Sequence, residues 1–149
     1  MGAAKIAFIS RKLYLKKWGG VARLLKTVNR VIYACDISYK ADIKGLLDLP
    51  HQGLGVIIGD GCLIGENVII RQNVTLGGKN YGGVFKYPQI GDNVMIRSGA
   101  VVLGDIRVGN NVKIGANAVV LNDVPDNSTA VGIPAKVVNA TYGVSQIEG

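Results

Sequence analysis

Aliphatic residues recur every six positions along most of this chain, and few folds can use such a pattern. One series runs Ile58, Ile64, Ile70, Leu76 and then Ile90, Ile96, Val102, Val108, Ile114, Val120. A second, two positions earlier, runs Val56, Cys62, Val68, Val74 and then Val94, Ala100, Ile106, Val112, Ala118. A period of six smears apolar positions around an α-helix, which repeats every 3.6 residues. The unit small–x–aliphatic instead makes a short strand with two side chains on one face. Glycine follows at Gly59, Gly65, Gly77, Gly91, Gly109 and Gly115, where its conformational freedom suits an immediate bend. Asn67, Asn73, Asn93, Asn111 and Asn117 precede inward positions at one phase, as a turn-tolerant residue would. Short strands separated by bends stack into a solenoid whose coils bury one another's faces. The fold class is therefore mainly β.

The 149 residues suffice for one domain with a real core. Apolar content is 48% but aromatics supply only 6%, which suits a narrow core of Ile, Val, Leu and Ala. A weaker register begins at Ile37, Ile43 and Leu49, and the nine-residue step to Ile58 leaves three extra residues around His51. The fourteen-residue step from Leu76 to Ile90 reads as two hexads and two extra residues. Residues 78–88 break the apolar pattern and are expected to leave the solenoid as a loop, a common place for function. Ahead of the repeats, Ile6, Ile9, Leu13 and then Val21, Leu24, Leu25, Val28, Ile32 sit at helical spacing, broken at Gly19-Gly20. The expected organisation is a helical arm over 1–35, a solenoid over 36–140 and a frayed tail over 141–149.

The formal charge of +7 is local. Residues 1–35 hold eight basic residues and no acid, whereas residues 36–149 hold nine basic and ten acidic. A nucleic-acid binder spreads basic residues over a face with stacking aromatics, so no nucleic-acid partner is expected. The arm combines its charges with Phe8, Tyr14, Trp18 and aliphatic residues, so it suits either an anionic membrane surface or packing on the solenoid or a neighbouring subunit. Cys35 and Cys62 make no secreted disulfide framework. No cleavable signal peptide and no apolar run of membrane-spanning length stands in the sequence, so a cytoplasmic location is expected, with peripheral contact to the inner membrane face as an option.

His51 is the only histidine, and it stands where the repeat is interrupted. An imidazole near neutral pKa suits a general base that activates a hydroxyl, and such a base needs an orienting carboxylate. Asp36, Asp42 and Asp48 are the nearest in sequence, and spacing alone does not choose among them.

Residues 36–138 resemble the catalytic domain of the serine O-acetyltransferase group of hexapeptide-repeat acetyltransferases. The matching stretches are DISYKADI (36–43), PHQGLGVIIGD (50–60), NVTLGG (73–78), YPQIGDNVMIRSGAVVLGDI (87–106), VKIGANAVVLNDVP (112–125) and STAVGIPAKVV (128–138). The resemblance implies a left-handed parallel β-helix with three-sided coils of about eighteen residues. It pairs Asp36 with His51 as the catalytic groups and acetyl-coenzyme A as donor, without a metal. It implies backbone N–H groups near Gly77 and Gly78 for the oxyanion, Ser98, Lys113 and Ala116 along the pantetheine arm, and Lys136 near a phosphate. It also implies a homotrimer with active sites between adjacent solenoids.

The chain departs from serine-specific members of that group at Lys86-Tyr87-Pro88, where they carry Arg-His-Pro, and at Pro50-His51, where they carry Asp-His. Lys86 and Tyr87 thus stand at acceptor-binding positions with altered chemistry. The short basic arm, in place of a large helical domain, resembles that of small exopolysaccharide acetyltransferases of the colanic-acid type. A saccharide hydroxyl is accordingly the expected acceptor, with polysaccharide biosynthesis as the setting; serine, in cysteine biosynthesis, is the alternative. A non-catalytic β-helix scaffold is the remaining reading. The γ-class carbonic anhydrases share the solenoid but hold zinc with three histidines, which one histidine per chain cannot supply.

Overall fold

A computed structural model describes residues 2–138. From Asp36 onward the chain winds through three parallel sheets, one strand per sheet per coil. The first sheet stacks Asp36–Ile37, Ile57–Ile58, Thr75–Gly77, Val101–Leu103 and Val119–Val120. The second stacks Asp42–Ile43, Leu63–Ile64, Gln89–Ile90 and Arg107–Val108. The third stacks Ile69–Ile70, Met95–Ile96, Lys113–Ile114 and Thr129–Val131, closed by the antiparallel strand Lys136–Val138. The result is a parallel β-helix, as the hexad pattern implies, with the left-handed three-sided coil that the resemblance implies.

Register gives the coil length. Ile58 lies beside Leu76 and Val102 beside Val120, each eighteen residues apart. Ile37 lies beside Ile58, twenty-one apart, so the first coil carries the three extra residues around His51. Leu76 lies beside Val102, twenty-six apart. The fourteen-residue step is therefore one hexad plus eight inserted residues, not two hexads plus two. Those eight form the antiparallel hairpin Lys79–Tyr81 and Val84–Lys86, turned by Gly82 and Gly83 at positive φ.

Both apolar series point inward. Val56, Ile58, Cys62, Ile64, Val68, Ile70, Val74 and Leu76 are buried, and so are their counterparts through Val120. At the bends asparagine takes the turn conformation as expected, but the repeat glycines do not. None of the six repeat glycines has positive φ; Asn67, Asn73, Asn93, Asn111, Asn117 and Asn127 do. Asparagine tolerates that conformation, and here its side chains also bond coil to coil. The Nδ2 of Asn67 donates to Asn93 Oδ1 (3.2 Å), Asn93 to Asn111 (3.3 Å) and Asn111 to Asn127 (2.9 Å). Three of the glycines answer to close approach instead. A Cβ on Gly65 would meet the Gly91 carbonyl at 2.7 Å, and one on Gly91 the Gly109 carbonyl at 2.8 Å. A Cβ on Gly109 would meet the Asp126 backbone nitrogen at 2.7 Å.

The arm folds as two helices, α1 (Ala3–Leu15) and α2 (Gly19–Tyr33), joined through Lys17 in the left-handed region. On α1, Ala3, Ile6, Ala7 and Ser10 are buried. On α2 only Ala22 and Asn29 are buried, and both bond to α1: Ser10 Oγ donates to Ala22 O (2.8 Å) and Asn29 Nδ2 to Ala3 O (3.2 Å).

Candidate active site

His51 occupies the turn Pro50–Gly53, at the corner where the third side of the first coil passes to the first side of the next. His51 (φ 55°) and Gln52 (φ 58°) both adopt the left-handed conformation. For non-glycine residues this costs of order 1–3 kcal/mol each and persists only where surroundings impose it. Here the restraints are visible. Pro50 opens the turn, and Leu54 N–H donates back to His51 O (3.3 Å). Gln52 Oε1 accepts the first free N–H of α1, from Ala3 (3.3 Å). The His51 side chain is exposed.

Asp36 opens the first strand and lies beside Ile57, six residues past His51. Its carboxylate is half-buried and is not hydrogen-bonded to His51. Lys26 Nζ approaches Oδ1 at 2.9 Å and Arg30 Nη1 approaches Oδ2 at 3.7 Å, both from α2. Sequence reasoning missed these two cations and Gln52. Lys26 and Arg30 are spaced i, i+4, which puts them on one helix face; that spacing was the available signal. The carboxylate borders an open cleft of about 340 Å³ lined by Arg30, Ala34, Cys35, Asp36, Gly55 and Ile57. The Cys35 thiol in this cleft is pushed up to about 11 by burial, with the Asp36 charge adding to the effect. Burial likewise pushes Cys62 to about 12. Both thiols thus stay protonated at neutral pH, and a thiolate nucleophile has no support here.

The remaining candidate residues fall into two groups. Asn73 N–H donates to Leu54 O (2.8 Å), Gly99 N–H to Gln72 O (3.0 Å) and Asn117 N–H to Ser98 O (2.9 Å). Leu54, Gln72, Ser98 and Ala116 therefore stack up one corner of the solenoid, the corner that carries His51. Lys113 projects from the adjoining third sheet and Lys136 from its last strand, both exposed and without an ion pair among the described residues. Gly77, Gly78, Lys86 and Tyr87 lie at the opposite edge of the first sheet. Four residue steps of strand carry the chain from Gly55, past the histidine turn, to Gly59 at that edge, roughly 13 Å at 3.3 Å per residue. One chain therefore brings Ser98 and Ala116 to the histidine corner and keeps Gly77 and Gly78 away from it.

At the far edge Lys86 Nζ pairs with Asp105 Oδ2 at 2.6 Å. The Tyr87 ring lies over a platform of glycines: a Cβ on Gly59 or Gly61 would meet it at 2.5 Å and one on Gly78 at 2.7 Å.

Comparison with known proteins agrees with this architecture. Residues 87–122 match the family described as bacterial transferase hexapeptide (six repeats). Serine acetyltransferase of Staphylococcus xylosus is 49% identical over 130 residues, covering 87% of this chain and 60% of that protein. Soybean serine acetyltransferase, solved with serine, superposes with a TM-score of 0.85 at 38% identity, covering 91% of this chain and 56% of the other. A serine acetyltransferase solved with CoA gives 0.83 at 38% identity, covering 91% and 56%. The chain thus spans about 60% of the length of the curated relatives it matches. In its hexad motifs and its left-handed β-helix the chain is thus similar to the hexapeptide-repeat acetyltransferases, and among them to the serine acetyltransferases.

Proposed function

We propose that the protein transfers an acetyl group from acetyl-coenzyme A to the hydroxyl of serine. The observation that carries this reading is the shared corner: an exposed histidine, held in a left-handed turn, at the foot of a column that Ser98 and Ala116 continue. His51 takes the proton of the acceptor hydroxyl as its oxygen attacks the thioester carbonyl. The new C–O bond forms, the C–S bond breaks, and the proton passes from imidazolium to the leaving thiolate. In this reading Asp36 steadies the imidazolium, while Lys26 and Arg30 hold its carboxylate from α2. Lys136 offers a cation to a phosphate of the coenzyme, with Ser98, Lys113 and Ala116 along its pantetheine arm.

Gly77 and Gly78 stand too far from His51 to serve it within one chain. The proposal therefore includes a homotrimer, in which the far edge of one solenoid meets the histidine corner of the next and presents these N–H groups to the oxyanion. A relative solved with CoA and another solved with serine support the donor and the acceptor. The cytoplasm, where acetyl-coenzyme A is available, is the proposed compartment.

One observation favours a second acceptor, a saccharide hydroxyl. Tyr87 lies on glycines and Lys86 is engaged with Asp105, so neither offers the cationic fork that would grip an amino-acid carboxylate. Free-thiol release from acetyl-coenzyme A, measured against a panel of serine, related amino acids and nucleotide sugars, separates the two. Serine is expected to give the highest kcat/KM. A higher value for a sugar moves the acceptor to the second reading, and no acceptor-dependent thiol release returns the protein to the scaffold class.

A further inference from the structure

We propose that the α1–α2 arm docks this protein on an anionic lipid surface through the outward apolar stripe of α2. An amphipathic helix in a folded domain ordinarily turns its apolar stripe inward. Here α2 does the reverse, burying Ala22 and Asn29 and leaving large apolar residues outside. Leu24 is 62% exposed, Val31 78% and Ile32 64%, with Val21 beside them. The stripe continues into the inter-helix turn through Leu15 and Trp18, 63% and 62% exposed. An exposed apolar row of this length marks an interaction surface.

Charge identifies the occupant. Of the eight cations in residues 1–35, Arg11 is used by Asp42, and Lys26 and Arg30 by Asp36. Lys5, Lys12, Lys16, Lys17 and Arg23 have no acidic partner among the described residues. Lys12, Lys16 and Lys17 are the near sequence neighbours of Leu15 and Trp18, so apolar side chains and unpaired cations share the turn. A second copy of the arm would bring like charge against like charge. Lipid phosphates supply the opposite sign over the required area, and a tryptophan beside lysines suits the boundary between headgroups and acyl chains. No helix among the described residues is long and apolar enough to cross a membrane, so the contact is peripheral.

Co-sedimentation of the full chain with vesicles tests this. Binding is expected to phosphatidylglycerol-containing vesicles, with little to pure phosphatidylcholine, and should weaken as salt rises. The double substitution Leu24→Glu, Ile32→Glu alters exposed side chains only, and is expected to weaken binding by at least about tenfold while leaving circular dichroism and thermal unfolding unchanged. Lys16→Glu, Lys17→Glu should do the same with the apolar stripe intact, which guards against a folding artefact in the first pair. Failure of the full chain to bind anionic vesicles at low ionic strength overturns the proposal. So does a change in oligomeric mass, rather than in vesicle binding, on substituting Leu24 and Ile32, because the stripe would then face a second copy.

Discussion

Replacing His51 by alanine is expected to lower kcat by about two to four orders of magnitude, the contribution of a positioned general base. The hydroxyl must lose its proton as it attacks, and no other histidine exists to accept it. Coenzyme A affinity, read by calorimetry, should stay near the parent value, because the proposed coenzyme contacts lie on later coils. The turn is exposed and its backbone restraints come from Pro50, Gln52 and Leu54 rather than the imidazole, so folding should survive. Asp36→Asn forms the companion test. It removes the counter-charge to Lys26 and Arg30 as well as the carboxylate proposed to steady the imidazolium, and should reduce kcat while leaving His51 in place. Near-parent activity of His51→Ala on the true acceptor would falsify the mechanism.

The proposed catalytic pair was legible only in part. The interruption of the hexad series singles out His51, since a regular coil has no use for three extra residues. Choosing Asp36 over Asp42 and Asp48 required the resemblance, because sequence distance does not say which sheet a carboxylate ends on. In the fold Asp42 opens a strand of the second sheet and pairs with Arg11, and Asp48 bridges to Ile69 on the third. Only Asp36 stands on the first sheet, which the histidine turn enters. The grip of Lys26 and Arg30 on Asp36 was hidden for a different reason: it depends on how α2 docks, and its docking inverts the ordinary amphipathic rule. A helix that buries Ala22 and Asn29 gives no apolar signal of its orientation.

The core was more legible than the corners. Inward positions repeat because each coil must bury the same two side chains per strand, and that demand is written directly in residue type. Glycine and asparagine are less direct, since both are permissive in bends. The structure separates them by position: Asn67, Asn93, Asn111 and Asn127 take the left-handed dihedral and ladder with one another, Gly55 and Gly99 share that dihedral with Asn73 and Asn117 at the histidine corner, and Gly65, Gly91 and Gly109 keep space for the carbonyl or nitrogen of the next coil. That distinction needs the coil stacking, which no single repeat contains.

The same stacking sets the stability of the domain. Ile96→Ala is expected to cost about 2–5 kcal/mol, the range for a fully buried aliphatic side chain that leaves a cavity. Ile96 is fully buried and sits between Ile70 and Ile114 in the middle of the third sheet, so its loss weakens two coil–coil contacts at once. Neighbour contacts carry most of a solenoid's cooperativity, so a central break should lower the melting temperature on the order of 10 °C. Met95→Ala on the adjacent, outward position should cost far less, because its side chain faces away from the core. Gly91→Ala should destabilise from the opposite direction, by about 1–3 kcal/mol, because an added methyl meets the Gly109 backbone at 2.8 Å rather than filling a void. Calorimetric unfolding at one protein concentration compares the three, since trimer formation would make the midpoint concentration-dependent. An Ile96→Ala midpoint within a degree of the parent would mean that the inner column does not hold the coils together.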